Sequence, residues 1–141
     1  MYPFFGFGAI PKGKSKVSHC FALNGNELDP KICGVDAVIQ SYRDILPTLK
    51  MSGPSLFAPL LQECKHLVEF CNDFKTYHIL VIVTDGEIHD MEETIEEIAD
   101  IAERNLPVSI IIVGVGDQDF SSMVKLDGDE VAIKKGISDI V

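Results

Sequence analysis

The sequence has no tryptophan, no Cys-x-x-Cys pair and no apolar run approaching the ~18 residues that a membrane-spanning helix needs. The missing tryptophan excludes little; the other absences exclude more. Positive charge is scarce, with 12 Lys and Arg against 22 Asp and Glu, a formal net charge of −10. Nucleic acids and anionic membranes are held by basic surface, so nonspecific binding to either is excluded. No Cys/His spacing fits a zinc site, and there is neither a Gly-x-Ser-x-Gly nucleophile motif nor a Walker loop. The start, Met1-Tyr2-Pro3-Phe4-Phe5, lacks the basic segment of a secretory signal, and its apolar stretch ends at Pro11-Lys12-Gly13-Lys14. A cytoplasmic location is therefore expected.

What is present describes a globular protein. The 141 residues suit one domain with a core of its own, and 46% of them are apolar against 24% charged. The charge is uneven: residues 1–50 are net +2, residues 51–100 net −9 and residues 101–141 net −3. The acidic middle reads first as a solvated helix face and second as a cation-attracting cluster. Cys20, Cys33, Cys64 and Cys71 read as free thiols of a reducing compartment. Cys64 and Cys71 fall two helical turns apart, too far to bridge.

Along the chain, residues 2–7 and 17–23 read as short strands, separated by a basic Pro/Gly turn, and Asn24-Gly25-Asn26 reads as a further turn. Val35, Val38, Ile39, Tyr42, Ile45, Leu46 and Leu49 recur at helical spacing, with Pro47 ending or kinking the helix. Leu56, Leu60, Leu61, Cys64, Leu67, Val68 and Cys71 form a second helical stripe. Ile79-Leu80-Val81-Ile82-Val83 is a continuous β-branched run of the kind buried on both faces of a parallel sheet. A helix from Asp90, with Ile95, Ile98, Ala99 and Ala102 as its core stripe, precedes a second such strand over residues 108–113. Strand, helix, strand in this order is a βαβ unit, which predicts an α/β fold with a parallel sheet.

In such sheets ligands bind beyond the carboxyl ends of the strands, and Asp85 stands directly after one of them. It reads equally as a site carboxylate and as a turn residue relieved by Gly86. Glu87 and Asp90 are near enough in sequence to join it, although Asp90 is more simply the cap of its own helix, with Glu93 reaching back. Ser55, after Gly53-Pro54, is a helix N-cap or a hard-oxygen ligand. Among the four histidines only His89 is placed to join Asp85; His66 reads as a helix-face residue and His78 as a strand-edge one. Gly114-Val115-Gly116 is no dinucleotide fingerprint, because Asp119 stands where a third Gly or Ala belongs. Asp127-Gly128-Asp129-Glu130 is no EF-hand, because Val131 and Ala132 stand where a ligand and a glycine are needed.

Several segments together resemble a known family: Tyr2-Pro3-Phe4-Phe5-Gly6-Phe7-Gly8-Ala9, Val17-Ser18-His19-Cys20-Phe21-Ala22-Leu23-Asn24, Gly53-Pro54-Ser55 with Phe57-Ala58-Pro59, the run LVIVTDGEI over residues 80–88, and SIIIVGVG over residues 109–116. Their order and spacing resemble the copine C-terminal domain, a von Willebrand factor A-like domain, over roughly residues 2–130. A plant RING ubiquitin ligase group shares this domain, but no RING-type Cys/His set stands here. The resemblance implies a three-layer, Rossmann-type α/β fold, a mostly parallel central sheet with helices on both faces. It also implies a metal-ion-dependent adhesion site built from three loops, in which Ser55 and Asp85 would help to hold Mg²⁺ or Mn²⁺.

The Asp-x-Ser-x-Ser loop of that site is absent, so the implied metal site is partial. Against the family pattern the 141 residues are expected to be a single, N-terminally truncated copine domain, without the first strand and helix and without C2 domains. The expected function is a non-enzymatic interaction module for a cytosolic protein, contacted through Gly53, Pro54, Gly86 and Glu87. Copines as a family bind phospholipid in a calcium-dependent manner through C2 domains; direct membrane binding by this chain is not expected. The alternatives are a metal-assisted phosphoryl-transfer enzyme using Asp85, Glu87 and Asp90, and a non-functional fragment of a longer copine.

Overall fold

A computed structural model describes residues 1–71 and 75–126. The chain divides into two compact units, Met1–Leu56 and Phe57–Val141. The first is built from β1 (Tyr2–Pro3), β2 (Phe5–Gly6), β3 (Ala9–Ile10), β4 (Phe21–Ala22), β5 (Lys31–Ile32), α1 (Val35–Ile45), a 3-10 turn (Leu46–Thr48) and β6 (Lys50–Met51). β1 pairs with β5, β2 with β4 and β3 with β6, all antiparallel.

The strand expected over residues 2–7 is broken in two because Phe4 serves both neighbours. Its N–H donates to the Pro30 carbonyl at 3.2 Å, and its own carbonyl accepts the Leu23 N–H at 2.9 Å. Gly6 is required at this crossing, since a Cβ there would lie 2.5 Å from Cζ of the buried Phe21 ring. The Asn24-Gly25-Asn26 turn forms as expected. The Asn24 side chain accepts the Asn26 N–H at 2.9 Å, and the Asn26 side chain accepts the Leu28 N–H at 3.2 Å. Pro47 does end α1, in the 3-10 turn. The α1 stripe is a departure: Val35, Ile39, Tyr42 and Leu46 are exposed, and no α1 residue is buried. Periodicity identified the helix but not a neighbour to cover it.

The second unit contains α2 (Ala58–Phe70), β7 (His78–Thr84), α3 (Met91–Glu103), β8 (Val108–Gly114) and a 3-10 turn (Ser121–Leu126). β7 and β8 pair in parallel over seven residues, from His78 opposite Val108 to Thr84 opposite Gly114, which is the expected βαβ unit. Its core joins Ile82, Val108 and Ile110 of the sheet to Leu60, Leu61 and Val68 of α2 and to Ile98, Ala99 and Ile101 of α3. The opposite sheet face is bare. Ile79 is 63% exposed and Val81 52%, and Val83, Ile111 and Val113 are exposed beside them. The expectation that these strands are buried on both faces is thereby corrected. A continuous apolar run permits double burial, but a second covering layer must be present to produce it. Among the described residues every sheet has two strands, and only β7–β8 is parallel. The chain is a mixed α/β fold of small sheets and helices, compatible with a von Willebrand factor A-like domain.

Part of the acidic middle is consumed between helices. The Gln62 amide donates to Glu97 at 2.7 Å, and the Lys65 ammonium donates to Asp100 at 2.7 Å and also pairs with Glu97. Arg104 pairs with Glu69 and lies 3.6 Å from Asp100. Partial burial works to lower the Lys65 pKa, but the hydrogen bonds and charges of Asp100 and Glu97 outweigh it, and the pKa is raised. This contribution to stability is fully present below the ordinary lysine range and is lost as pH rises through the raised value.

The two sheet faces should respond differently to substitution. Ile110→Ala removes buried methyl groups and is expected to cost about 2–4 kcal/mol in urea denaturation, whereas Val81→Thr on the bare face should cost less than about 0.5 kcal/mol.

Candidate functional site

Asp85 lies where the sequence predicts, immediately beyond the carboxyl end of β7, and it is exposed. The ladder closes just before it, with the Val115 N–H donating to the Thr84 carbonyl at 2.8 Å. The Gly86 N–H approaches Thr84 Oγ1 at 3.4 Å, which turns the chain back over the strand end. Asp85, Glu87 and His89 all stand exposed on this loop.

The loop of Gly53, Pro54 and Ser55 belongs to the other unit. It leaves β6, whose ladder continues in the Ser52 N–H donating to the Gly8 carbonyl at 2.9 Å. The Gly53–Pro54 peptide is cis. Gly53 and Pro54 are exposed and Ser55 is half-buried. Ser55 and Asp85 thus each occupy a loop of their own unit.

Asp90 departs from its expected capping role. It occupies the N-cap position of α3, but its side chain makes no capping bond there. Instead the carboxylate reaches α2: Oδ1 accepts the Phe57 N–H at 2.9 Å and Oδ2 accepts the Ala58 N–H at 2.8 Å. Its own helix is closed by the backbone alone, the Thr94 N–H donating to the Asp90 carbonyl at 2.8 Å. Asp90 is 7% exposed, with both oxygens committed. The Asp90 carboxylate is thus engaged with the start of α2, while Asp85 and Glu87 stand exposed on the loop before it. The sequence carried a signal for this contact. Helix α2 starts two residues later than the expected Ser55 cap, at Phe57, which has no side-chain oxygen, so a remote acceptor can serve its first N–H groups.

Mg²⁺ and Mn²⁺ favour a shell of about six hard oxygen ligands. Among the described residues no three His, Cys, Asp or Glu side chains are drawn together as a metal cluster. The Asp127-Gly128-Asp129-Glu130 segment lies outside the described residues. Asp119 has a local role: it accepts the Ser121 N–H at 2.8 Å at the start of the 3-10 turn, and that bond holds its carboxyl below the ordinary range.

All four described cysteines are free thiols. Burial of Cys64, on α2, with the neighbouring Glu63 charge pushes its thiol up to about 11.

Comparison with known proteins decides the family. A family model described as Copine matches residues 1–141. The chain belongs to the copine family. Copine-A of Dictyostelium discoideum is 41% identical over 138 residues, which are 96% of this chain and 23% of that protein. The chain therefore spans less than a quarter of the length of this copine relative.

Two measurements check the geometry of this copine segment. Asp90→Ala should destabilise it by about 2–3 kcal/mol in urea denaturation, since two buried N–H groups lose a charged acceptor, and Asp90→Asn should cost less. Iodoacetamide at pH 8, followed by peptide mass spectrometry, should label the exposed Cys33 and Cys71 at least about 100-fold faster than Cys64, whose thiolate fraction there is about one in a thousand.

Proposed function

We propose that this chain is a protein-interaction module of the copine type, without enzymatic activity, that serves a cytosolic protein partner. The observation that carries the reading is the copine match over the whole chain. The commitment of both Asp90 oxygens to α2 supports it, by taking one carboxylate away from the rival enzyme reading. The mixed α/β fold is taken to follow the von Willebrand factor A plan of a central parallel sheet between helices. The partner contacts Gly53 and Pro54 on one loop and Gly86 and Glu87 on the other, residues that are exposed or half-exposed. The calcium-dependent phospholipid binding of copines is assigned to C2 domains, and nucleic acid plays no part.

Within this reading Ser55 and Asp85 are the remnants of the adhesion site. Without the Asp-x-Ser-x-Ser loop they supply too few oxygens to hold Mg²⁺ or Mn²⁺ tightly. Calorimetric titration should find dissociation constants no tighter than about 1 mM. Micromolar binding that disappears in Asp85→Ala would overturn the partial-site reading. For the module itself, affinity capture on the folded chain should retain a cytosolic protein that Glu87→Arg releases. No capture, or a metal-dependent phosphatase turnover abolished by Asp85→Ala, would sink it.

A further inference from the structure

The acidic character of this chain stops short of its first 26 residues, which contain no Asp or Glu. That stretch carries Lys12, Lys14 and Lys16 on one connection, all exposed. The connection is held at its base. The Ser18 N–H donates to the Ala9 carbonyl at 2.8 Å, and the Lys14 N–H donates to the Pro11 carbonyl at 3.0 Å, closing a turn around Gly13 at φ +81°. A fourth lysine joins from the other side, because Ile10 of β3 stands opposite Lys50 of β6, which is also exposed. The described ion pairs all lie between α2 and α3 or at the end of α3, and none involves these four lysines. The strand that supplies Lys50 runs directly into Gly53 and Pro54.

We propose that Lys12, Lys14, Lys16 and Lys50 form a docking surface for an acidic segment of a protein partner. The proposal rests on the reading of the chain as an interaction module and names the chemistry its partner must bring. A lysine in a turn is ordinarily just solvated. Here four meet at one pinned loop and ladder end, three of them in a stretch of 26 residues without a carboxylate, on a chain that is net −10. The clustered charge attracts an acidic segment, and the hydrogen-bonded base lowers the ordering cost of docking. The acid-rich remainder of the chain repels an anionic membrane at large, which favours a short acidic peptide over a bilayer.

The test is nuclear magnetic resonance titration of the full ¹⁵N-labelled chain with a hexaglutamate peptide, with hexaglutamine as control. Glutamate-induced shifts should concentrate in residues 10–17 and 49–52. Affinity should fall about tenfold between 50 and 300 mM NaCl. Lys12→Glu/Lys14→Glu/Lys16→Glu should weaken binding at least about tenfold. Lys31→Glu/Arg43→Glu/Lys125→Glu carries the same net charge and should change it less than about twofold. Circular dichroism checks that both variants stay folded.

Equal weakening by the two variants would overturn the proposal in favour of diffuse charge, as would shifts centred elsewhere. Binding to phosphatidylserine vesicles with no response to the peptide would overturn it in favour of a membrane surface. A lost peptide response beside intact, Glu87-dependent partner capture removes only the lysine surface. Loss of the capture removes the module reading as well.

Discussion

The Asp90 carboxylate, buried between the starts of two helices, is the contact on which the second unit depends. α2 begins at Phe57 and Ala58, and Asp90 accepts the N–H groups of both. An unmet buried N–H costs as much as a lost hydrogen bond, so the residue before α3 stabilises the first turn of α2. The bond spans more than thirty residues of sequence and registers the two helices at their N-termini. From there the ladder of Gln62, Lys65 and Glu69 against Glu97, Asp100 and Arg104 continues the registration toward their other ends. The loop carrying Asp85 and Glu87 is the connection from β7 to this fixed point. One polar contact thus sets where the exposed carboxylates of the candidate site can stand.

Charge is divided by role along this copine segment. Glu97 and Asp100 are neutralised by Lys65 and hold two helices together, so they belong to stability. Asp119 is used up in closing a turn. Asp85 and Glu87 stay in solvent at the strand end. Lys12, Lys14, Lys16 and Lys50 of the first unit are exposed and give an otherwise acidic chain one surface of opposite sign. A net charge of −10 therefore describes the chain as a whole but no single face of it.

Much of the element order was legible from pattern. The apolar runs at residues 79–83 and 108–113 became parallel strands, and Pro47 and the Asn24-Gly25-Asn26 turn fell where local chemistry put them. These features are fixed by near neighbours: ring closure at proline, side-chain bonds to the adjacent backbone, and β-branched packing. Exposure was less legible. Ile79 and Ile111 are the same residue type as Ile82 and Ile110, yet one pair is bare and the other buried. Hydrophobicity states what a residue gains by burial, and the presence of a covering layer decides whether it is buried. The α1 stripe fails as a core for the same reason.

The sequence by itself determined the family, the βαβ order, and the position of Asp85 at a strand end. Each rests on local spacing or on the succession of short motifs. The tertiary structure alone decided that Asp90 serves α2 rather than its own helix, because the competing acceptors for an N–H are settled by distance in space. It also decided that Lys50 stands beside the Pro11 turn, since a ladder brings together residues forty apart in the chain. Periodicity reports how a segment coils, and only packing reports what it touches.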